Sequence, residues 1–166
     1  MLIDIGSGTY SKQYFNKETR YSHIECSSRG HSLPIIDGKY QQPGKQFAAK
    51  NTKFEGGVFS TDIAGAYGID ELSSLVRTFN FTDDEMKMTD SIVYSGNGTI
   101  IERLASFIEP VIEEKGKIVL EDTVVTYDPS VCEVSVTPDK TTAGSKLFFM
   151  DFKLCDGARE FNIVVK

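Results

Sequence analysis

Alternation of apolar and polar residues with a period of two constrains the fold of this chain more than any other feature. One apolar face in the segment 86–94 consists of Met86, Met88, Ile92 and Tyr94. Another, nearer the C-terminus, consists of Phe148, Met150, Phe152 and Leu154. Successive side chains of a β-strand point to opposite faces of the sheet, so both segments are predicted to be strands with one buried side.

Glycine-containing turns separate these segments, as at Asp37-Gly38, residues 96–98 and Asp156-Gly157. Several short strands between such turns, with no alternation of strands and helices, indicate an antiparallel all-β protein. Because a sheet needs a cover for its apolar face, we predict an antiparallel two-sheet β-sandwich with little or no helix. The length of 166 residues fits one domain, assigned to residues 1–166.

Three segments are less clear. Residues 101–112 combine helical spacing of apolar residues with Pro110 and several β-branched residues, and the strand interpretation is favoured. Residues 62–75 are a helix candidate that Gly65 and Gly68 interrupt. Residues 39–53 are polar and are predicted to form a long loop or an edge hairpin.

A single strand face is also predicted from the alternating residues Ile118, Leu120, Asp122 and Val124.

The composition excludes several functions. The 18 Lys and Arg residues against 24 Asp and Glu give a net charge of −6, which argues against binding to nucleic acid or to an anionic membrane surface. No apolar run approaches the roughly 20 residues of a membrane-spanning helix. Two His residues exclude a site with three His ligands from this chain alone. Three Cys residues without CxxC spacing indicate buried thiols rather than a disulfide framework.

Four residues are candidates for chemistry. His31 lies in a polar turn before an apolar strand, where it is either a ligand or general acid at the rim of a sheet or a surface residue without a role. Asp62, between apolar neighbours, is either a metal ligand or the cap of a short helix that begins at Ile63, and the cap is favoured. Arg29 and Arg77 are candidates to receive an anionic sugar or a carboxylate.

Several pieces of the sequence carry a family resemblance. Residues 2–10 (LIDIGSGTY), Arg20-Tyr21 and residues 27–38 (SSRGHSLPIIDG) occur in this order near the N-terminus. Later pieces are residues 44–49 (GKQFAA), 59–67 (FSTDIAGAY), 77–79 (RTF), 109–112 (EPVI) and 116–118 (GKI). In order and spacing they resemble the C-terminal domain of heparinase II/III-like proteins, over nearly the whole chain and more weakly after about residue 123.

The resemblance implies that the chain is the β-sandwich domain of a polysaccharide lyase. Such enzymes cleave uronic-acid-containing chains, such as heparan sulfate or alginate, by β-elimination. An N-terminal α/α-toroid domain carries most of the catalytic residues, so the isolated chain is expected to be inactive. The implied partners are an acidic polysaccharide and the toroid domain of the same protein, with no nucleic acid and no membrane. The alternative is a stand-alone carbohydrate-binding or structural module without catalysis.

The resemblance also implies site residues. The family's β-sandwich domain contributes a His after the Ser-containing turn and a later Asp to a metal site, commonly zinc; the matching positions are His31 and Asp62. A further His is expected just before Arg77, where this chain has Leu75 and Val76, so the ligand set for zinc or another divalent cation is incomplete. Arg29 stands where some relatives have a catalytic His, and it is assigned to substrate binding.

Overall fold

Two antiparallel sheets make up most of the computed structural model, which describes residues 3–166. Strand accounts for 47% of the described residues and helix for 10%. The strands are β1 (Ile35–Ile36), β2 (Lys50–Glu55), β3 (Val58–Asp62), β4 (Leu72–Phe81), β5 (Met86–Tyr94), β6 (Ile100–Ser106), β7 (Val111–Glu114), β8 (Lys117–Leu120), β9 (Thr123–Tyr127), β10 (Cys132–Lys140), β11 (Lys146–Leu154) and β12 (Glu160–Val165). The prediction of an all-β sandwich with little helix is confirmed.

The two sheets differ in width. The smaller has the strand order β1-β6-β11-β10, and the larger has the order β2-β3-β4-β5-β12-β9-β8-β7. Between them lies the main core, to which β4, β5, β6, β11 and β12 contribute fully buried Leu75, Met88, Leu104, Phe152 and Phe161. All six residues of β2, the edge strand of the larger sheet, are exposed.

The N-terminal part of the chain forms a third layer. It contains a four-residue α-helix, α1 (Lys12–Phe15), and 3₁₀ turns at Arg20–Ser22, Ile24–Cys26 and Ser28–Gly30. Ile5 and Ile24 from this part pack with Ala105, Leu147 and Phe149 in a second, smaller core. The outer face of the smaller sheet is therefore covered by the segment that carries the turn around His31.

The three less clear segments are resolved by the structure. Residues 100–106 form β6, as the strand interpretation of residues 101–112 predicts. The helix candidate at 62–75 contains only a 3₁₀ turn, Ala64–Ala66, before β4 begins. The polar segment 39–53 is a loop that continues into β2, as predicted for a loop or an edge hairpin.

No helix within residues 3–166 combines the length and apolar character needed to cross a membrane.

The predicted strand face through Ile118 and Val124 is wrong. The chain turns back at Glu121 and Asp122, so that β8 and β9 form a hairpin in which Val119 pairs with Val124 and Ile118 with Val125. Glu121 adopts a positive φ of 51° in this tight turn. Because two polar residues make the turn, the period-two pattern runs through it without interruption.

Candidate functional site

The turn around His31, residues 27–32 (hereafter the histidine turn), begins with the 3₁₀ turn Ser28–Gly30. The Nδ1 atom of His31 lies 2.9 Å from Oδ2 of Asp4, and its Nε2 atom lies 3.2 Å from the carbonyl oxygen of Glu25. Both ring nitrogens thus lie within hydrogen-bond distance of an oxygen atom. Asp4 also accepts a bond of 2.7 Å from the N–H of Gly6. Burial acts to raise the pKa of Asp4, but the bonds from Gly6 and His31 outweigh it and lower the pKa.

Glu25, beside the histidine turn, is a buried carboxylate that no sequence pattern singles out. Its two oxygens accept bonds of 2.6 Å from the N–H and from the hydroxyl of Thr142. Burial acts to raise the pKa of Glu25, and the bonds from Thr142 outweigh burial and lower it. Because Thr142 is 117 positions away in the sequence, no local pattern predicts this contact. It ties the N-terminal layer to the loop between β10 and β11.

A cavity of about 380 Å³ opens beside the histidine turn. Its lining includes Tyr21, Glu25, Cys26, Ser27, Ser28, His31, Leu33, Gln41, Gln42 and Pro43. The far wall is held in place by two bonds: the N–H of Gln41 donates to the Ser28 hydroxyl at 2.9 Å, and the N–H of Gln42 donates to the carbonyl of Ala66 at 2.8 Å. Hydroxyl, amide and imidazole groups therefore surround a space large enough for a small polar ligand.

Arg29 follows the cavity-lining Ser28 and is exposed. Its carbonyl oxygen accepts a bond of 3.0 Å from Arg103, whose guanidinium is fixed by two bonds of 2.7 Å to Asp151 and lies over the Phe149 ring. Within residues 3–166, no carboxylate forms an ion pair with the Arg29 guanidinium. The backbone of Arg29 is thus anchored while its charged group is available.

Asp62 has a structural role. Its Oδ1 atom accepts bonds of 3.1 Å from the N–H groups of Ala64 and Leu75. The first bond joins Asp62 to the first residue of the 3₁₀ turn Ala64–Ala66, whose N-cap position is Ile63, so Asp62 bonds the start of this turn from one residue before the cap position. Within residues 3–166, neither His31 nor Arg29 is a hydrogen-bond partner of Asp62.

The residues described do not fit the zinc site that the family resemblance implies. Both nitrogens of His31 are hydrogen-bonded, and Asp62 is bound to backbone N–H groups. Within residues 3–166, no group of three or more His, Cys, Asp or Glu side chains is placed to hold a metal ion. A metal at His31 would need one ring nitrogen to give up its present partner.

Arg77 does not face a sugar, contrary to one of the hypotheses drawn from the sequence. It is buried between the sheets, where its guanidinium contacts Asp90 at 2.5 Å and Glu102 at 3.1 Å. Asp90 and Glu102 are themselves fully buried. These three residues form what we call the buried charge cluster, with Arg77 and Asp90 from the larger sheet and Glu102 from the smaller one.

The buried charge cluster holds the end of the histidine turn from inside the sandwich. Nη1 of Arg77 donates a bond of 2.6 Å to the carbonyl of Ser32, and the hydroxyl of Ser32 accepts a bond of 3.0 Å from the N–H of Ala105. The hydroxyl of Tyr67 donates to the carbonyl of Pro34 at 2.7 Å. The end of the histidine turn is therefore fixed by groups from both sheets.

Two carboxylates share one guanidinium in this cluster. Burial raises the pKa of Glu102 well above its ordinary value, the Asp90 charge adds to this, and Arg77 opposes it. The Oε1 atom of Glu102 is buried without a hydrogen-bond partner. A protonated Glu102 leaves the cluster with no net charge, which is the favourable state in an interior of low polarity.

Comparison with known proteins does not add to this geometry. The chain matches no protein-family model and no curated protein sequence.

Proposed function

We propose that this chain is the C-terminal β-sandwich domain of a heparinase II/III-like polysaccharide lyase and that its histidine turn faces an acidic, uronate-containing polysaccharide. The proposal rests on the sequence pieces described above and on one structural observation, the cavity beside the histidine turn, in which hydroxyl and amide groups stand among apolar side chains. The all-β architecture agrees with the fold that the resemblance implies.

The lining of the cavity suits a saccharide. Sugar hydroxyls both donate and accept hydrogen bonds, and the hydroxyls of Ser27 and Ser28 and the amides of Gln41 and Gln42 can do the same. Tyr21, which is 49% exposed at the cavity rim, offers an aromatic face and a phenolic hydroxyl. A few polar groups converging on a concave surface are typical of small-ligand sites.

The charge of the substrate is matched by Arg29. Its free guanidinium can pair with a uronate carboxylate through two parallel N–H···O bonds, a geometry that lysine lacks. Neutralising that carboxylate favours loss of the proton at C5 of the uronate, because negative charge then develops beside a paired group. A base takes the C5 proton, the electrons of the C5–H bond form the C4–C5 double bond, the C4–O bond breaks, and an acid protonates the departing oxygen.

The roles in this reaction divide between two domains. The proton transfers belong to the toroid domain, which the resemblance identifies as the carrier of a tyrosine acid or base. In this chain Arg29 binds and orients the substrate, and His31 keeps the histidine turn in shape through Asp4 and Glu25.

Elemental analysis of chain purified without chelator is expected to find less than one zinc per molecule. One equivalent of zinc that disappears in His31→Ala would contradict this.

Calorimetric titration of the chain with a uronate trisaccharide tests the proposal. We expect binding by the wild type and a loss of at least about tenfold in affinity in Arg29→Ala, since a charge-assisted pair is removed. Arg159→Ala is the matched control, because Arg159 is also exposed, but unlike Arg29 it has no chain neighbour that lines the cavity. Equal losses in the two variants, or no binding by the wild type, would overturn the proposal.

Incubation of the polysaccharide with the chain tests the division of labour. The chain alone is expected to release no unsaturated uronate, which is detected by its ultraviolet absorbance. Rapid cleavage by the chain alone would show that the catalytic groups lie here and not in a toroid.

The same cavity also supports the second candidate, a carbohydrate-binding module without catalysis. The two functions differ in what the gene encodes beside this chain. A segment of several hundred residues of paired amphipathic helices upstream would favour the lyase. A chain that binds the trisaccharide, encoded without such a segment, would favour the module.

A further inference from the structure

Positive charge is concentrated in one segment of this acidic chain. Residues 39–53 contain Lys39, Lys45, Lys50 and Lys53 and no Asp or Glu. The chain has 18 Lys and Arg and 24 Asp and Glu, so the other 151 residues carry 14 positive and 24 negative side chains, a net charge of −10. The segment itself carries +4. This separation of charge is not visible in the overall value of −6.

The four lysines are available to a ligand. All four are exposed, and none is in an ion pair with another part of residues 3–166. Elsewhere, Lys117 and Lys166 do pair, with Glu113 and Glu85. The acidic residues next to the segment are Asp37, two positions before Lys39, Asp62, which lies opposite Lys50 and is bound to backbone N–H groups, and Glu55 at the end of β2.

A β-bulge brings two of the lysines to one face. Lys50 pairs with Asp62 and Lys53 pairs with Ser60, so three steps along β2 correspond to two along β3. Asn51 takes up the extra residue with a positive φ of 54°. Without the bulge, residues three apart in a strand would point to opposite faces. With it, Lys50 and Lys53 lie on the same face of the larger sheet.

The segment starts at the proposed saccharide cavity. Gln41, Gln42 and Pro43 line that cavity. The chain then continues through Lys45 to the edge strand β2. A ligand that is longer than the cavity and follows this segment meets one lysine after another.

We propose that residues 39–53 form a cationic strip along which an acidic saccharide chain continues beyond the cavity at the histidine turn. This inference rests on the proposed function, because it extends the same ligand from the same cavity. The cavity holds a few sugar units at one end, and the lysines bind the carboxylates or sulfates of the units that follow. The strip favours saccharide chains that are long and highly charged, and the cavity determines which sugar units bind.

Other partners fit the strip less well. An added β-strand would need the open edge of β2, but lysines and a bulge at an edge strand disfavour such pairing. Double-stranded nucleic acid is wide and would bring its phosphates against the remaining surface with its net charge of −10. A single saccharide chain is narrow enough to contact the strip alone.

The test compares two variants with the same change in charge. In the strip variant Lys39, Lys45, Lys50 and Lys53 are replaced by Gln. In the control variant Lys115, Lys140, Lys146 and Lys153, which are also exposed, are replaced by Gln. Binding of a uronate trisaccharide, a uronate chain of about 20 units, neutral dextran and single-stranded DNA of equal charge is measured at two salt concentrations, after thermal unfolding confirms that both variants fold.

We expect the strip variant to lose at least about tenfold in affinity for the long uronate chain at low salt, with a smaller salt dependence, because fewer counterions are displaced. Its affinity for the trisaccharide should stay within about twofold, and the control variant should bind the long chain almost as the wild type does. Equal losses in the strip and control variants, or tighter binding of DNA than of the long uronate chain, would overturn the strip. If the trisaccharide does not bind but the long chain binds through the strip, the result contradicts saccharide binding in the cavity. It still supports binding of an acidic saccharide by the four lysines of the strip.

Discussion

Two sets of paired charges hold the histidine turn, and they differ in burial. The buried charge cluster fixes Ser32 from inside the sandwich, with both carboxylates fully buried. The pair between Asp4 and His31 fixes the other side from the surface, where the Asp4 side chain is 73% exposed. The distances are similar, at 2.5 Å and 3.1 Å inside and 2.9 Å outside. Distance therefore does not distinguish the two sets.

Burial decides what each set contributes. Inside the protein, removing one partner leaves a charge that water cannot reach, whereas on the surface water replaces the missing partner. The cluster also contains two carboxyl groups for one guanidinium, whereas the surface pair contains one carboxyl group and one imidazole. We therefore expect the two sets to differ in the size of the mutational effect and in the direction of the pH effect.

The largest effect is expected for Arg77→Met. The substitution leaves Asp90 and Glu102 buried without a positive partner and removes the bond to Ser32. The free energy of unfolding should fall by about 3 to 5 kcal/mol, the range for breaking a buried ion pair. Urea unfolding followed by circular dichroism measures it.

A triple variant controls for packing. Adding Asp90→Leu and Glu102→Leu to Arg77→Met removes the stranded acids and should recover most of the lost stability. A triple variant that is less stable than Arg77→Met would show that the introduced Leu side chains do not fit. It would also show that the stability lost in Arg77→Met is not due to uncompensated charge.

A smaller effect, with a clear pH dependence, is expected for Glu102→Gln. Burial and Asp90 raise the pKa of Glu102 in the folded protein, so Glu102 stays protonated there while the unfolded chain ionises near the ordinary value of 4.5. Its contribution to stability is complete below pH 4.5 and is lost as the pH rises toward the raised pKa, by up to about 1.4 kcal/mol per pH unit.

Gln copies the neutral carboxylic acid in shape and cannot ionise. The variant should therefore lack this loss, and the difference in unfolding free energy between variant and wild type should grow in favour of the variant as the pH rises from 4.5 toward the raised pKa of Glu102. Parallel stability curves for the two proteins over this range would contradict a protonated Glu102.

The smallest effect is expected for Asp4→Asn. Because the pair with His31 is largely exposed, its loss should lower the unfolding free energy by at most about 1 kcal/mol. The sign of the pH effect is reversed, since the lowered pKa of Asp4 means that its contribution is present above pH 3.8 and is lost as the pH falls. Urea unfolding at about pH 7 and about pH 3 measures both effects. A loss as large as that of Arg77→Met would contradict the comparison.

Much of the scaffold that carries these charges is predictable from the sequence. Period-two alternation predicts β5 and the second half of β4, whereas β6 is predicted from Pro110 and its β-branched residues. In the structure Arg77, Asp90 and Glu102 are each in phase with inward-facing Phe79, Met88 and Leu104. Three charged residues in inward register are thus a usable signal of a buried cluster. Alternation gives the face of each residue but not its partner, because the partners belong to different strands and, for Glu102, to the other sheet.

The candidate site is predictable only in part. The polar turn with His31 and Arg29 is continuous in sequence, so both residues can be identified as neighbours from the sequence alone. The contact of Glu25 with Thr142 spans 117 positions and depends on how the N-terminal layer lies over the smaller sheet. The bulge at Asn51 depends on the register of β2 against β3, which the sequence pattern alone does not set.

Mapping of saccharide contacts by NMR tests the central claim most directly, namely that the histidine turn and its cavity bind an acidic sugar. The chain is titrated with a uronate trisaccharide while backbone amide shifts are followed. We predict the largest shifts at residues 21–33 and 41–43, and their loss in Arg29→Ala. Saturable shifts confined to another part of the chain, or no shifts at all, would contradict the claim.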